Sequence, residues 1–184
     1  MSLDYYKVPS DQPDPTKTQT QIQLDELKTQ AYLREIQDNQ NLTLGVLTGA
    51  GAALIGAIAW AIVTALTKFQ IGFMAIGIGF IVGWTIRQFG RGLDISFGVA
   101  GGALAFLGCL LGNLLSACIM YANQTGASIM DTLAAVNLRV AGEILKATFS
   151  PMDLLFYGIA IYFGYKYSLF TIPEEKLKEL AKAR

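Results

Sequence analysis

The sequence predicts an all-α, polytopic membrane protein, a bundle of four transmembrane helices with an amphipathic helix on its outer side. Three observations lead there. The 184-residue chain is 53% hydrophobic and only 15% charged, with no histidine, whereas a soluble domain carries about a quarter charged residues. Its charges gather towards the two ends and leave apolar runs between them that reach the roughly 18 residues a bilayer crossing needs. Those runs are also rich in glycine, which costs roughly 1 kcal/mol against alanine in a water-exposed helix.

The runs place spans at about 42–67, 69–86, 95–121 and 152–172, together forming a transmembrane domain over 41–172. The second is barely long enough for a hydrocarbon core of about 30 Å. Only Thr67-Lys68-Phe69-Gln70 links the first two, so they form a tight antiparallel hairpin. Positive charge sets the orientation. Lys7, Lys17, Lys28, Arg34, Arg87, Arg91, Lys176, Lys178, Lys182 and Arg184 fall on the side of both termini, against Lys68, Arg139 and Lys146 on the other. Both termini are therefore predicted to be cytoplasmic. Lys166 lies near the inner end of the fourth span, from which its long stem can snorkel to the interface.

The cytoplasmic region 1–40 begins as a flexible arm rich in Asp, Pro, Ser and Thr and continues into a possible helix over 21–40. It does not read as a cleavable signal peptide. The tail 173–184 is predicted as a short helix, with Pro173, Glu174 and Glu175 in its first turn. Outside, segment 128–149 sets Ile129, Leu133, Val136, Val140 and Ile144 on one helical face and Asp131, Arg139, Glu143 and Lys146 on the other. One amphipathic helix, lying on the outer membrane surface or roofing the bundle, is expected. Ser150-Pro151-Met152-Asp153 then reads as a capped helix start.

The glycines have a physical purpose. Apolar side chains gain little by leaving lipid for a helix interface, so helices in membranes associate through close backbone contact that small residues allow. Gly45, Gly49 and Ala53 repeat every fourth residue in the first span, and Ala75, Gly79 and Gly83 do so in the second. Gly98, Gly102, Gly108, Gly112 and Ser116 continue the pattern in the third. Packing within one subunit is expected for most of them, with some surface left to join subunits. The fourth span has few glycines and many tyrosines and phenylalanines, which suits a lipid-facing helix at the bundle's edge.

Polar chemistry at depth is sparse. Thr64, Asn113, Ser116 and Lys166 are the only candidates for a solute pathway, and Asn113 is expected to hydrogen-bond between helices. Cys109 and Cys118 fall in one apolar run with no spacing for a metal or disulfide framework, and no base accompanies Cys109 at its depth. No catalytic, cofactor-binding or metal-binding set is expected, so the chain reads as non-enzymatic. Arg87 and Arg91 sit at the inner leaflet, where they orient the chain and are candidates for a lipid phosphate headgroup. Zero net charge gives no general attraction to nucleic acid.

The stretches "IGFMAIGIGFIVGWTIRQFGRG", "FLGCLLGNLLS" and "SPMDLLFYGIAIYFGYKYS" resemble a family of small, uncharacterised bacterial membrane proteins with a four-span core. Some members carry an N-terminal zinc ribbon, which this chain lacks, having no cysteine before Cys109. The resemblance spans about 45–168 and implies four spans in a bacterial inner (plasma) membrane, with no activity attached. The expected function is a scaffold or accessory subunit that self-associates or binds other membrane proteins. The alternative is a small oligomeric channel or transporter, and a lipid-binding or envelope-stress role rests on Arg87, Arg91 and the external helix alone.

Overall fold

A computed structural model describes residues 19–68 and 72–171. Residues 1–18 of the predicted arm (about 1–20), the link 69–71 and the predicted C-terminal helix 173–184 lie outside the described residues. Helices α1 (Gln19–Asp38), α2 (Leu42–Thr67), α3 (Phe73–Gly90), α4 (Ile95–Thr125), α5 (Ile129–Ala134), α6 (Leu138–Thr148) and α7 (Pro151–Ser168) follow in order. No strand occurs among the described residues. The chain divides into two units, one holding α1 and the other spanning 41–169. In the first unit, α1 leaves Leu24 and Leu27 exposed, and Asn39 closes its end by donating its side-chain amide to the Glu35 carbonyl at 2.7 Å.

In the second unit α2, α3 and α4 are each long and apolar enough to cross a membrane. Together α6 and α7 reach the same length and apolarity, but the pair is bent by 109° at the break between them, as in a broken span or a re-entrant loop. Glycine contacts fix the direction of each helix. A β-carbon at Gly45 would lie 3.2 Å from Cα of Gly90, and one at Gly56 would lie 2.9 Å from Cγ1 of Ile78, so α2 and α3 run antiparallel. Gly108 faces Ala53 and Gly112 faces Trp60, so α4 runs parallel to α2. Gly79 meets the backbone of Ala160, and Gly83 meets the Gly164 carbonyl, so α7 runs alongside α3 in the same direction. Gly98 against Tyr165 and Gly102 against Ile161 make α7 antiparallel to α4. The α3/α4 pair thus packs against α2 on one hand and α7 on the other.

The core is built mostly of small residues and helix backbone, with Trp60, Ile78, Val82, Ile86, Phe97 and Tyr157 as its large side chains. Leu47, Ile55, Leu66, Phe73, Val99 and Leu107 project outward. That inversion suits lipid, where large apolar groups lose nothing on the outside and the contact energy comes from close packing inside.

Helix ends follow from local chemistry. Asn41 Oδ1 accepts from the Leu44 N–H at 2.8 Å, and the Asn41 N–H donates to the Gly90 carbonyl at 3.0 Å, tying the start of α2 to the end of α3. Ser150 and Asp153 form a complete capping box at α7, with Ser150 N–H donating to Asp153 Oδ2 at 2.8 Å. Lys68 and Arg91 end α2 and α3 in the left-handed region at φ 61° and 48°.

Two expectations change. The second span, placed at 69–86, is described as α3 from Phe73 to Gly90, so Arg87 belongs to its last turn and not to the following loop. The single external helix over 128–149 is two helices. Asn137 interrupts it, because its side chain accepts from the Val140 N–H at 3.0 Å and begins α6 afresh. The Arg139–Glu143 pair forms as expected, at 3.3 Å on the exposed face of α6.

Candidate functional site

Among the described residues, four of the five buried polar side chains (Thr64, Asn113, Ser116 and Asp153) gather towards the end where α2 finishes and α7 begins, while Ser168 is buried at the far end of α7 and donates to the Gly164 carbonyl of its own helix. On α4, Cys109, Gly112, Asn113 and Ser116 recur at three- and four-residue intervals, which sets them along one buried helical face. Asn113 Nδ2 donates to Tyr157 Oη at 3.1 Å, joining α4 to α7. Phe106 meets the Tyr157 ring edge-on, with centroids 6.1 Å apart. Ser116 Oγ donates back to the Gly112 carbonyl at 2.7 Å, so its hydroxyl serves its own helix. Across from these residues α2 contributes Trp60, whose ring packs on Gly112, and Thr64 one turn further on. Trp60 Nε1 and Thr64 Oγ1 are both fully buried and have no hydrogen-bond partner among the described residues. Cys109 Sγ lies 4.0 Å from the Ala75 carbonyl oxygen, and both cysteines are free thiols in the core.

This cluster holds an amide, a phenol, an indole and hydroxyls. Such groups join helices by hydrogen bonds of about 0.6–2 kcal/mol each in a membrane. Asp153 is buried one turn before Tyr157, and its carboxylate is taken up by the cap of α7. Among the described residues, no group of three or more His, Cys, Asp or Glu could hold a metal ion.

Below the cluster the same helices pack through glycine and aliphatic groups. A β-carbon at Gly49 would lie 2.6 Å from Cγ1 of Ile86, and one at Gly108 would lie 2.9 Å from Cγ2 of Ile78. Gly101 and Gly164 each press against the other's carbonyl oxygen. Gly45, Gly49, Gly79, Gly83, Gly98, Gly102, Gly108 and Gly112 all face a neighbouring helix of the same subunit, and Ala53 and Ala75 are buried with them. By contrast Gly51, Gly77 and Gly158 face open space, one on each of three helices.

Of the residues predicted for a pathway, Thr64, Asn113 and Ser116 come together at this end of the bundle. Lys166 does not join them. It projects from the exposed side of α7, with Nζ 5.6 Å from the centroid of the Tyr162 ring. The fourth span is not purely lipid-facing either, since Asp153, Tyr157, Ala160, Gly164 and Ser168 form a buried stripe at helical spacing. That stripe is readable in the sequence once the tyrosines are treated as amphipathic side chains able to turn inward. Sequence reasoning missed Tyr157 as the partner of Asn113 because no local signal links residues 44 positions apart.

At the other end, Gly90 and Gly92 flank a turn into which the Phe97 ring fits, and a β-carbon at Gly92 would fall on that ring. These glycines make room for a buried aromatic. Arg87 is half-buried in the last turn of α3, and Arg91 is exposed at its left-handed cap, where the Arg91 N–H donates to the Arg87 carbonyl at 3.2 Å.

The fold and site together define an all-helical chain with three to four helices compatible with a multi-pass membrane protein. No protein-family model matches it, and neither does any curated protein or solved structure.

Proposed function

We propose that the chain is a non-catalytic integral membrane scaffold or accessory subunit, with four spans in a bacterial plasma membrane and both ends in the cytoplasm. Its fourth span is α7. That helix runs beside α3 from the Gly72–Phe156 contact to the Gly83–Tyr167 contact, so a bilayer crossed by α3 is crossed by α7 as well. The observation that carries the scaffold reading is the distribution of polarity inside the bundle. Four of the five buried polar side chains among the described residues gather near one end, while the rest is closed by Gly49 against Ile86 and Gly101 against Gly164, with Ser168 as its one buried hydroxyl. That hydroxyl donates to the Gly164 carbonyl of its own helix, so among the described residues no continuous polar lining runs across the protein.

The small-residue faces serve packing within the subunit, so association with other membrane proteins or further copies falls to the outer surface. Leu54, Ile55, Ile58 and Ile62 on α2 form an exposed apolar strip of that surface. The channel reading takes a narrower form, because Thr64, Asn113 and Ser116 are buried inside one subunit. They would line an internal path and not a central hole between copies.

Flux and labelling test the proposal. Purified protein in liposomes should pass no ions under a diffusion potential. Reproducible flux altered by Asn113→Leu would overturn the scaffold in favour of the internal path. Cysteine placed at the exposed Thr125 should react with an impermeant thiol reagent from outside the inner membrane, and cysteine at Ser10 only after lysis. The reverse order would overturn the orientation.

A further inference from the structure

The segment between α4 and α7 has an amphipathic face that the bundle only partly covers. Val140, Ala141, Ile144 and Leu145 are half-buried on one face of α6, which packs on α4, yet no side chain of α6 is fully buried. Leu138 at its start is 92% exposed, and Met130 in α5 is 74% exposed. Arg139, Glu143 and Lys146 occupy the opposite face of α6 and are exposed. In water, such a half-covered apolar face costs about 25 cal/mol for each Å² left uncovered.

Geometry supplies the cover. The 109° bend sets α6 nearly perpendicular to α7, which lies along α3. A helix perpendicular to the spans lies close to the plane of the bilayer. Its height follows from α4, whose 31 residues extend about 46 Å at 1.5 Å per residue, beyond a hydrocarbon core of about 30 Å. Both α5 and α6 pack on α4. Phe149 and, at the start of α7, Met152, Leu154 and Leu155 are exposed apolar side chains as well.

We propose that α6, together with the start of α5, is a lipid-binding element that lies in the outer headgroup layer and dips Leu138 and Met130 into the acyl boundary. This rests on the four-span orientation proposed above. Interfacial helices of this kind sink their apolar face about 5–10 Å and keep their charges towards water. Arg139 and Lys146 then lie at the level of lipid phosphates, and the broken helix at Asn137 lets α5 and α6 each settle on the surface.

Spin-label accessibility in lipid nanodiscs of phosphatidylethanolamine and phosphatidylglycerol tests it. A Cys109→Ala/Cys118→Ala background would carry single cysteines at Met130, Leu138, Arg139 or Lys146, with Ile58→Cys on α2 as a span control. Labels at 130 and 138 should be relaxed several-fold more by oxygen than by a water-soluble nickel chelate, and those at 139 and 146 should show the opposite order. If 138 behaves like 139 while 58 remains in lipid, the surface element is overturned and the spans stand. If 58 is itself open to nickel, the span assignment fails and the inference falls with it.

Discussion

Gly101 of α4 and Gly164 of α7 oppose each other so closely that a β-carbon on either would collide with the other's carbonyl oxygen. Backbone blocks each position, so no rotamer change can make room. Gly101→Ala and Gly164→Ala should each lower stability in mild detergent by roughly 1–3 kcal/mol, and more if the helices must separate. Gly158→Ala, on the open side of the same helix, should melt like the parent. Thermal unfolding followed by circular dichroism distinguishes them, and equal melting of all three would remove the close-contact account.

A graded series extends the argument. A β-carbon at Gly79 would strike the Ala160 carbonyl oxygen, whereas one at Gly56 would meet only the Ile78 side chain. Gly79→Leu should therefore disrupt the bundle far more than Gly56→Ala, because a side chain can shift and a packed backbone cannot. Gly108→Leu belongs with the severe cases, being hemmed by both Ile78 and Ala53. Yield of monodisperse protein after extraction gives the ranking.

The Asn113–Tyr157 bond should appear as a coupling energy. Asn113→Leu and Tyr157→Phe, alone and together, should give a double-mutant interaction of about 0.6–2 kcal/mol. A coupling near zero would mean that the 3.1 Å contact contributes geometry without energy.

Thr64 offers the opposite sign. Its hydroxyl is buried without a partner among the described residues, so Thr64→Val exchanges an unsatisfied polar group for a methyl of similar size. Equal or greater stability is expected in equilibrium unfolding. A loss above about 1 kcal/mol would show that the hydroxyl is bonded after all.

The start of α7 depends on its cap. Ser150→Ala removes an acceptor for the Met152 N–H and should cost about 0.5–2 kcal/mol, while Ser150→Asp should retain most of it. Increased proteolysis at the α6–α7 junction in the alanine variant alone would report the fraying.

Periodicity and composition made the long helices legible. The reading of 42–67 from an uncharged run coincides with α2, and the Ser-Pro-Met-Asp start of α7 is a local signal with a local outcome. The external break at Asn137 was also written locally, as a capping residue before Leu138, but the continuous apolar stripe of 128–149 masked it. What no local pattern carries is pairing. Gly101 and Gly164 are both visible as small residues, yet their apposition depends on how α7 folds back between α3 and α4. The partner of Asn113 is hidden for the same reason, and the tyrosines that gave the fourth span an interfacial character concealed the stripe through which it packs.

Unequal helix lengths give the bundle two different sides. Helices α3 and α7 have 18 residues each, about 27 Å of helix, while α2 has 26 and α4 has 31. In the four-span arrangement proposed above, a bilayer of uniform thickness cannot match both sides, so the lipid would thin beside α3 and α7 or the bundle would tilt, at a fraction of a kcal/mol for each Å of mismatch. The lipid annulus around a bundle so placed would be lopsided, and thinner membranes would relieve the short side. A partner helix matched to the thinned edge would meet less elastic resistance there than along α2, so bilayer thickness itself becomes a variable that biases where the protein resides and which flank it offers to a neighbour.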